Sequence, residues 1–297
     1  MTGILLIAID AFGGGFYQQL AYNLALSIKL DTPNMPITVI TDSVDFKYLS
    51  KEQIALFDYK IEAKEDDYFE EYLMNPFKLK TKIYEYTPFE NTLYLDVDGL
   101  FLYGNKTLSS LFEKLNTCDF QIHEVRRYTK ANYHESGMIW TQPNENSPNH
   151  FKTLWDAYGI GDTDIYPEYN SSFIWFKKTD SNKEYFNQVA INYNDRRVTF
   201  KALGKSYPDE MAWNITSAKM QHLGAFSEFK PCYFEWEHTN KEFDYIAKEC
   251  WFMMLAGGFQ ITKMVTYYNN LIKSFRSQVN DTIPFNFEMS KKIFFRK

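Results

Sequence analysis

The sequence NTLYLDVDGLFL at residues 91–102 places two aspartates, Asp96 and Asp98, inside a run of apolar and β-prone residues. Runs of this kind form strands that are covered on both faces of an α/β sheet. A buried carboxylate without a partner is so unfavourable that it must be neutralised, pair with a cation or bind a metal ion. Because residues two apart on a strand project from the same face, we expect both carboxylates to point into one cleft beyond the end of this strand.

The segments before this strand predict a parallel arrangement. ILLIAID at 4–10 is a short apolar run that ends in Asp10, and ITVITD at 37–42 is a second one that ends in Asp42. Between them, after a glycine-rich turn, FYQQLAYNLALSIKL at 16–30 has the apolar spacing of a helix. This order of strand, helix and strand is typical of a βαβ unit with a carboxylate at the end of each strand.

Helices and strands continue to alternate along the rest of the chain. FKLKTKIYEY at 77–86 predicts a helix directly before the aspartate strand. The same periodicity predicts helices at 108–115 and 209–220 and strands at 119–125, 171–178 and 232–238. Without a repeat or a linker, residues 1–245 are predicted to form one α/β domain, and 246–297 a C-terminal extension with a helix and a basic, aromatic tail.

Composition limits the classes of function. The 297 residues, 45% of them hydrophobic, can bury a large core, and the net charge of −6 gives no basic surface for nucleic acid. Three widely spaced cysteines and the lack of a signal peptide favour a cytoplasmic protein with reduced thiols. The tail, which ends SKKIFFRK at 290–297, is compatible with a peripheral membrane contact, although a solvated tail is the simpler alternative.

The spacing of two aspartates alone is weak evidence for a metal site. A second such pair, Asp162 and Asp164, lies between glycine and proline in a predicted loop, where carboxylates stay solvated and need no partner. Only Asp96 and Asp98 interrupt a strand. Their oxygens suit Mg²⁺ or Mn²⁺, ions that bridge phosphate groups. The alternative is a pair of aspartates that form salt bridges at the end of a strand.

Three segments in order resemble one enzyme family. LYLDVDG at 93–99, YNSSFIWF at 169–176 and YPDEMAWNI at 207–215 are similar to motifs of the retaining GT-A glycosyltransferases of family 8, the glycogenin and lipopolysaccharide galactosyltransferase type. The resemblance covers roughly residues 4–245. It implies a Rossmann-like mixed sheet flanked by helices, and a hexosyltransferase that moves a sugar from a nucleotide diphosphate, expected to be a UDP-sugar, to an acceptor hydroxyl with retention of configuration.

The resemblance also implies which residues bind the donor. These are Asp10, Tyr17, Asp42, Lys80, Asp96, Val97, Ser171 and Lys241. Asp10 and Asp42 would contact the base and ribose, Tyr17 would lie against the base, and Lys241 would meet the diphosphate. Lys80 is the choice for the basic residue on the helix before the metal strand, with Lys78 and Lys82 as rivals.

For the sugar and the metal, the resemblance implies two further sets of residues. Asn170, Asp209 and Glu210 would face the transferred sugar, with Glu210 either stabilising an oxocarbenium-like centre or attacking it. Asp96, Asp98 and His238 would bind the cation, and the imidazole favours Mn²⁺ over Mg²⁺. Two positions depart from the family pattern, since Ser172 replaces the usual glycine and Glu210 replaces a frequent glutamine.

Simpler readings remain open for each motif. Residues 169–172 can be a plain turn, Asp209 and Glu210 can cap a helix, and His238 can be structural. At the level of function, the alternatives are a sugar nucleotidyltransferase, for which the glycines 13–15 lack a basic neighbour, and a noncatalytic protein that binds a nucleotide or sugar. The acceptor can be a glycan, a protein, a lipid-linked sugar or a modified nucleic-acid base.

Overall fold

A computed structural model gives the fold of the chain. It describes residues 1–10, 14–70, 73–103, 106–129, 158–195, 209–227, 229–234, 248–255, 262–283 and 285. The strands are β1 (Thr2–Ala8), β2 (Ile37–Thr41), β3 (Tyr59–Glu62), β4 (Phe69–Glu70), β5 (Leu73–Met74), β6 (Asn91–Leu95), β7 (Gly99–Phe101), β8 (Phe120–Tyr128), β9 (Tyr166–Lys177), β10 (Cys232–Tyr233) and β11 (Phe252–Met254). The helices are α1 (Phe16–Asp31), α2 (Lys51–Ile54), α3 (Glu65–Tyr68), α4 (Pro76–Lys80), α5 (Ile83–Tyr86), α6 (Leu108–Leu115), α7 (Asp180–Asn194), α8 (Glu210–Met220) and α9 (Thr262–Gln278).

A six-stranded mixed sheet forms the centre of the fold. Its strand order is β3, β2, β1, β6, β9, β8. The first four of these strands are parallel, whereas β9 runs antiparallel to both β6 and β8. The predicted class, a mixed α/β sheet flanked by helices, is therefore confirmed. The carboxyl ends of β1, β2 and β6 meet at one edge, which is where ligands bind in such sheets.

The first βαβ unit folds as its sequence predicts. β1 is almost entirely buried because its apolar run is covered on both faces of the sheet. Helix α1 begins after Gly15, which has a φ of +75°, and a side chain at this position would collide with Tyr48. Glycine is needed here because both the positive φ and the close approach exclude other residues.

The aspartate strand is not continuous, which corrects the prediction from residues 91–102. The chain leaves the main sheet after Leu95, turns through 96–98, and enters β7 of a second sheet with the order β10, β11, β7. After the turn, the backbone of β11 approaches Gly99 so closely that a side chain there would lie 2.8 Å from the carbonyl oxygen of Met253. Gly99 thus permits sheet pairing, and the two aspartates lie in a turn instead of on one strand face.

Other elements differ from their predicted bounds. The helix predicted at 77–86 is divided into α4 and α5, since the hydroxyl of Thr81 donates to the carbonyl of Lys78 at 2.8 Å and competes with helical bonding. β9 begins at Tyr166, so Asn170 and Ser171 lie inside a strand and not in a turn before one. Of the strand predicted at 232–238, β10 covers Cys232–Tyr233, and residues 235–238 lie outside the described residues.

The C-terminal helix α9 packs against α1. Arg276 is buried and donates to Asn23 at 2.7 Å and to Gln19 at 2.7 Å, both on α1. β11, which belongs to the predicted C-terminal extension, pairs with β7. The basic tail from residue 286 onward lies outside the described residues. No helix in the described segments is long and apolar enough to span a membrane.

Candidate active site

Three side chains hold the carboxylate of Asp96 at the end of β6. Tyr94 donates its hydroxyl to Oδ1 at 2.5 Å, and Ser172 donates its hydroxyl to Oδ2 at 2.7 Å. The Nζ of Lys80 lies 3.0 Å from Oδ1 and 3.2 Å from Oδ2. The backbone N–H of Asp96 also donates to the carbonyl of Ser172 at 3.0 Å, so the turn and β9 are joined at this point. Asp96 is therefore firmly oriented by its own protein.

Lys80 is the lysine of its segment that reaches this site. Its side chain is buried, donates to Ser171 Oγ at 3.1 Å, and lies 3.6 Å from Asp209 Oδ1. Burial lowers the pKa of Lys80, but the negative charges of Asp209 and Asp96 outweigh burial and raise the pKa above its ordinary value. The side chain is thus held as a cation between two carboxylates.

The rival lysines point elsewhere. Lys78 donates to the carbonyl oxygens of Asp66 and Phe69 at 2.6 and 3.1 Å. Lys82 forms an ion pair with Asp67 at 2.8 Å. The structure therefore brings the preferred residue of the three, Lys80, to the aspartate turn.

Asp209 and Glu210 lie at the start of α8 on the other side of Lys80. Asp209 is fully buried, and its Oδ2 accepts a hydrogen bond from Trp213 Nε1 at 2.8 Å. Its side chain makes no capping hydrogen bond to the helix, so the alternative of a capping carboxylate does not apply to it. Burial, followed by repulsion from Asp96, raises the pKa of Asp209 even though Lys80 lowers it.

Glu210 is half-buried, and desolvation of its carboxyl, followed by the negative charge of Asp209, raises its pKa to about 8. The raised pKa favours the protonated form of this carboxyl at neutral pH. A protonated carboxyl donates one hydrogen bond and retains acceptor capacity. Glu210 is suited to hydrogen bonding with a hydroxyl-rich ligand, and it becomes an anion as the pH rises through the range of its raised pKa.

Asp98 presents an oxygen for which the described residues provide no hydrogen bond. Its Oδ1 is buried, whereas its backbone carbonyl accepts from Leu255 N at 2.9 Å. Burial and the neighbouring charge of Asp96 raise the pKa of Asp98 to about 7. Such an atom fits a site for a cation, since a buried carboxylate needs a positive partner.

The described ranges contain only part of the predicted metal and phosphate site. Within them, no group of three His, Cys, Asp or Glu side chains is arranged to hold a metal ion. The predicted third ligand, His238, and the predicted diphosphate contact, Lys241, lie outside the described residues. The aspartate turn supplies two of the three predicted ligands.

The predicted nucleoside residues gather at the ends of β1 and β2. Asp10 Oδ2 accepts from Gly15 N at 2.7 Å, and the N–H of Asp10 donates to Asp42 Oδ1 at 3.3 Å. Oδ1 of Asp10 is buried, and nothing in the described part of the chain donates to it. Burial, and then repulsion from Asp42, raises the pKa of Asp10. Burial, and then the negative charges of Asp98, Asp96 and Asp10, raise the pKa of Tyr17.

Of the remaining predicted residues, two lie beside the aspartate turn and one has its side chain in the core. Asn170 is partly exposed and its Oδ1 accepts from Ser172 N at 2.9 Å, and Ser171 is buried against Lys80. Both lie on β9 beside the aspartate turn. The side chain of Val97 is buried in the apolar core, so only its backbone can contact a donor.

Three residues of the site were not predicted as members. Tyr94 precedes Asp96 by two positions on a strand, so the alternation of strand side chains could have identified it. Trp213 follows Asp209 by four positions, which is the contact spacing of a helix. Ser172 was noted only as a departure from the family pattern, and its bond to Asp96 depends on the long-range pairing of β6 with β9.

Comparisons with known proteins support the fold. No protein-family model matches the sequence, and no curated protein is significantly similar to it. Among solved structures, the bifunctional glycosyltransferase WbbM aligns with a TM-score of 0.50 and 11% identity over 86% of this chain and 46% of that chain. Mouse xyloside xylosyltransferase 1 aligns with a TM-score of 0.49 and 11% identity, over 86% of this chain and 97% of that one.

A third solved structure, the galactosyltransferase LgtC in complex with donor and acceptor sugar analogues, aligns with a TM-score of 0.46 and 12% identity, over 86% of each chain. At such low identities, the similarity concerns the fold. The WbbM alignment agrees with the predicted GT-A type of mixed sheet.

Proposed function

We propose that this chain is a glycosyltransferase that takes its sugar from a nucleotide diphosphate donor, for which UDP is the expected nucleotide. One observation carries the proposal. At the ligand-binding edge of a GT-A type sheet, Lys80 bridges Asp96 and Asp209 while Oδ1 of Asp98 is buried with no donor from the described residues. A cluster of buried charges is costly to maintain, and such clusters are typical of functional sites.

The residues of the turn fit a divalent cation. Asp98 offers the open oxygen, Asp96 lies beside it in an orientation fixed by hydrogen bonds, and the family resemblance adds His238 as the third ligand. The expected ion is Mn²⁺, with Mg²⁺ as the alternative. When bound, such an ion would supply positive charge beside the departing diphosphate.

The nucleoside would bind at the ends of β1 and β2. Asp10 holds the N-terminus of α1 through one carboxylate oxygen and keeps the other for a ligand donor, such as a base N–H or a ribose hydroxyl. Asp42 lies directly beside it. Tyr17 lies at the start of α1, two residues after the Gly15 that binds Asp10, and we expect its ring to pack against the base.

The transferred sugar would lie among Asn170, Asp209 and Glu210. Asp209 is fixed by Trp213 and Lys80, so it can accept hydrogen bonds from sugar hydroxyls in a constant orientation. Glu210, with a pKa of about 8, is neutral near pH 7 and suited to donate a hydrogen bond. Its use as an anion that stabilises or attacks the anomeric carbon requires loss of that proton, which a neighbouring positive charge would favour.

The class of acceptor is still the one predicted from the sequence, with four alternatives. A glycan, a protein, a lipid-linked sugar and a modified nucleic-acid base all carry a suitable nucleophile. Retention of configuration is implied by the family resemblance and belongs to the same proposal. So does cytoplasmic location, with a solvated tail as the preferred alternative to a membrane contact.

A panel of nucleotide sugars with Mn²⁺ tests the proposal. We expect release of nucleotide diphosphate from at least one donor, and loss of this release in Asp98→Ala. Asp162→Ala, in the exposed second aspartate pair, is the matched control and should retain release. Nucleotide binding without release would indicate a noncatalytic protein. Pyrophosphate formed from a nucleoside triphosphate and a sugar phosphate would indicate a nucleotidyltransferase, and either result would overturn the proposal.

A further inference from the structure

The two aspartates of the turn differ in how the protein treats their oxygens. Both oxygens of Asp96 accept hydrogen bonds from protein side chains, whereas Oδ1 of Asp98 has no donor within the described segments. We propose that Tyr94 and Ser172 are positioning residues of the metal site, whose hydroxyls fix the carboxylate of Asp96, one on each oxygen. This inference rests on the proposed function and adds two residues to its site.

The geometry of the anchors supports this role. Tyr94 and Ser172 are almost fully buried, and their hydroxyls lie 2.5 and 2.7 Å from opposite oxygens of Asp96. They lie on neighbouring strands, β6 and β9, which are paired in the centre of the sheet. Side chains on central strands have little freedom to move, so they can determine the orientation of a third group.

Lys80 makes the anchors necessary. Its ammonium group attracts Asp96 and Asp209 together, at 3.0 and 3.6 Å. If Lys80 alone held Asp96, the carboxylate could rotate about its Cβ–Cγ bond and still keep contact with the ammonium group. The hydroxyls of Tyr94 and Ser172 resist that rotation from both sides. They thereby keep the carboxylate in one orientation beside Asp98, while Lys80 also contacts both of its oxygens.

A purely structural role is the alternative, because buried hydroxyls need partners anywhere in a protein. Two other buried hydroxyls, on Tyr185 and Ser217, provide a control for this alternative. Tyr185 and Ser217 are also fully buried, and their hydroxyls lie 2.7 Å apart. The Tyr185 hydroxyl also donates to the backbone carbonyl of Trp213 at 3.5 Å, so its partners are neutral groups and not a carboxylate. Removal of these hydroxyls makes the same chemical change without touching Asp96.

Binding of Mn²⁺ alone provides the test, measured by calorimetry and by the electron paramagnetic resonance signal of the free ion. We expect Tyr94→Phe and Ser172→Ala each to raise the Kd for Mn²⁺ by about tenfold or more, which is typical when a group that orients a metal ligand is lost. Tyr185→Phe and Ser217→Ala should leave the Kd unchanged. Thermal unfolding identifies any variant that fails to fold. If one of Tyr94→Phe and Ser172→Ala does so, the Kd of the other one tests the positioning role.

Two outcomes separate this inference from the proposed function. If Asp98→Ala loses Mn²⁺ binding while Tyr94→Phe and Ser172→Ala bind as the wild type does, the positioning role is wrong and the metal site remains. If the wild type does not bind Mn²⁺, or if Asp98→Ala binds it equally well, both the metal site and the inference are wrong.

Discussion

The ammonium group of Lys80 lies 3.6 Å from Oδ1 of Asp209, and the two side chains are 6% and 0% exposed. Since Lys80 also pairs with Asp96, whose side chain is 22% exposed, one buried cation is the shared partner of a buried and a half-buried carboxylate. Desolvation of these charged groups costs free energy, and removal of one partner costs more because it leaves a charge without compensation. The stability of this site therefore depends on Lys80 more than on any surface ion pair.

Lys80→Met should lower the free energy of unfolding by about 3–5 kcal/mol, because it leaves Asp209 fully buried without its cation and removes the cation beside Asp96. Urea denaturation at pH 7 measures the change. Lys177→Met, which breaks the more exposed ion pair with Asp119 at 3.1 Å, is the control and should cost about 0–1 kcal/mol. Equal losses in the two variants would contradict the central role of Lys80.

Glu210→Gln should change how stability depends on pH. The folded state raises the pKa of Glu210 from 4.5 to about 8, so between these values the folded protein keeps a proton that the unfolded chain releases. Titration of this group therefore lowers the free energy of unfolding as the pH rises through that window, by about 1.4 kcal/mol per pH unit. Glutamine does not titrate.

The variant should accordingly gain stability relative to the wild type between pH 5 and pH 8, as measured by denaturation at several pH values. A parallel pH dependence of the two proteins would show that Glu210 is ionised in the fold at neutral pH.

Trp213→Phe should destabilise the protein by about 1–3 kcal/mol, because Oδ2 of Asp209 loses its donor at 2.8 Å and remains buried. Trp175→Phe is the control, since its Nε1 donates to the neutral carbonyl of Cys118 at 3.1 Å. If donor-sugar turnover also depends on a fixed Asp209, Trp213→Phe will lower it and Trp175→Phe will not. Thermal unfolding and the release assay together distinguish these effects.

Asp10→Asn should separate stability from binding. The amide oxygen can still accept from Gly15 N, and the loss of a buried charge beside Asp42 removes a repulsion, so stability should not fall. The amide NH₂, however, cannot accept a hydrogen bond where Oδ1 does. We expect the affinity for a nucleoside diphosphate to fall about tenfold, the usual cost of a lost hydrogen bond to a charged group.

Calorimetry with UDP and thermal unfolding test this prediction. Asp162→Asn in the exposed loop should change neither property. An unchanged UDP affinity in Asp10→Asn would remove Asp10 from the proposed nucleoside site.

Local pattern predicted much of the fold. The helix at 108–115 was predicted with its observed bounds, because its apolar spacing and the Thr107 cap are local signals. β1, β2 and the helix between them were predicted for the same reason. The break at 96–98 could not be, since it depends on the pairing of β7 with β11, a segment far away in the sequence.

The site followed the same division. The predicted residues Lys80, Asp96, Ser171 and Asp209 do lie together. The sequence pattern alone could not show whether Lys80 or Lys78 reaches the site, because that depends on where α4 ends. The hydroxyl of Ser172 reaches Asp96 across two paired strands, and no spacing in the sequence reveals such a contact. His238 and Lys241 stay predictions from the family resemblance.

The hydrogen bond from Leu255 N to the carbonyl of Asp98 joins the aspartate turn to a segment that is synthesised much later. During translation, the six-stranded sheet can assemble while this turn still lacks its last support. The order of synthesis thus places completion of the turn after assembly of the sheet, so a nascent chain that ends before β11 would already hold Asp96 through Tyr94, Ser172 and Lys80 but would lack the support of Asp98.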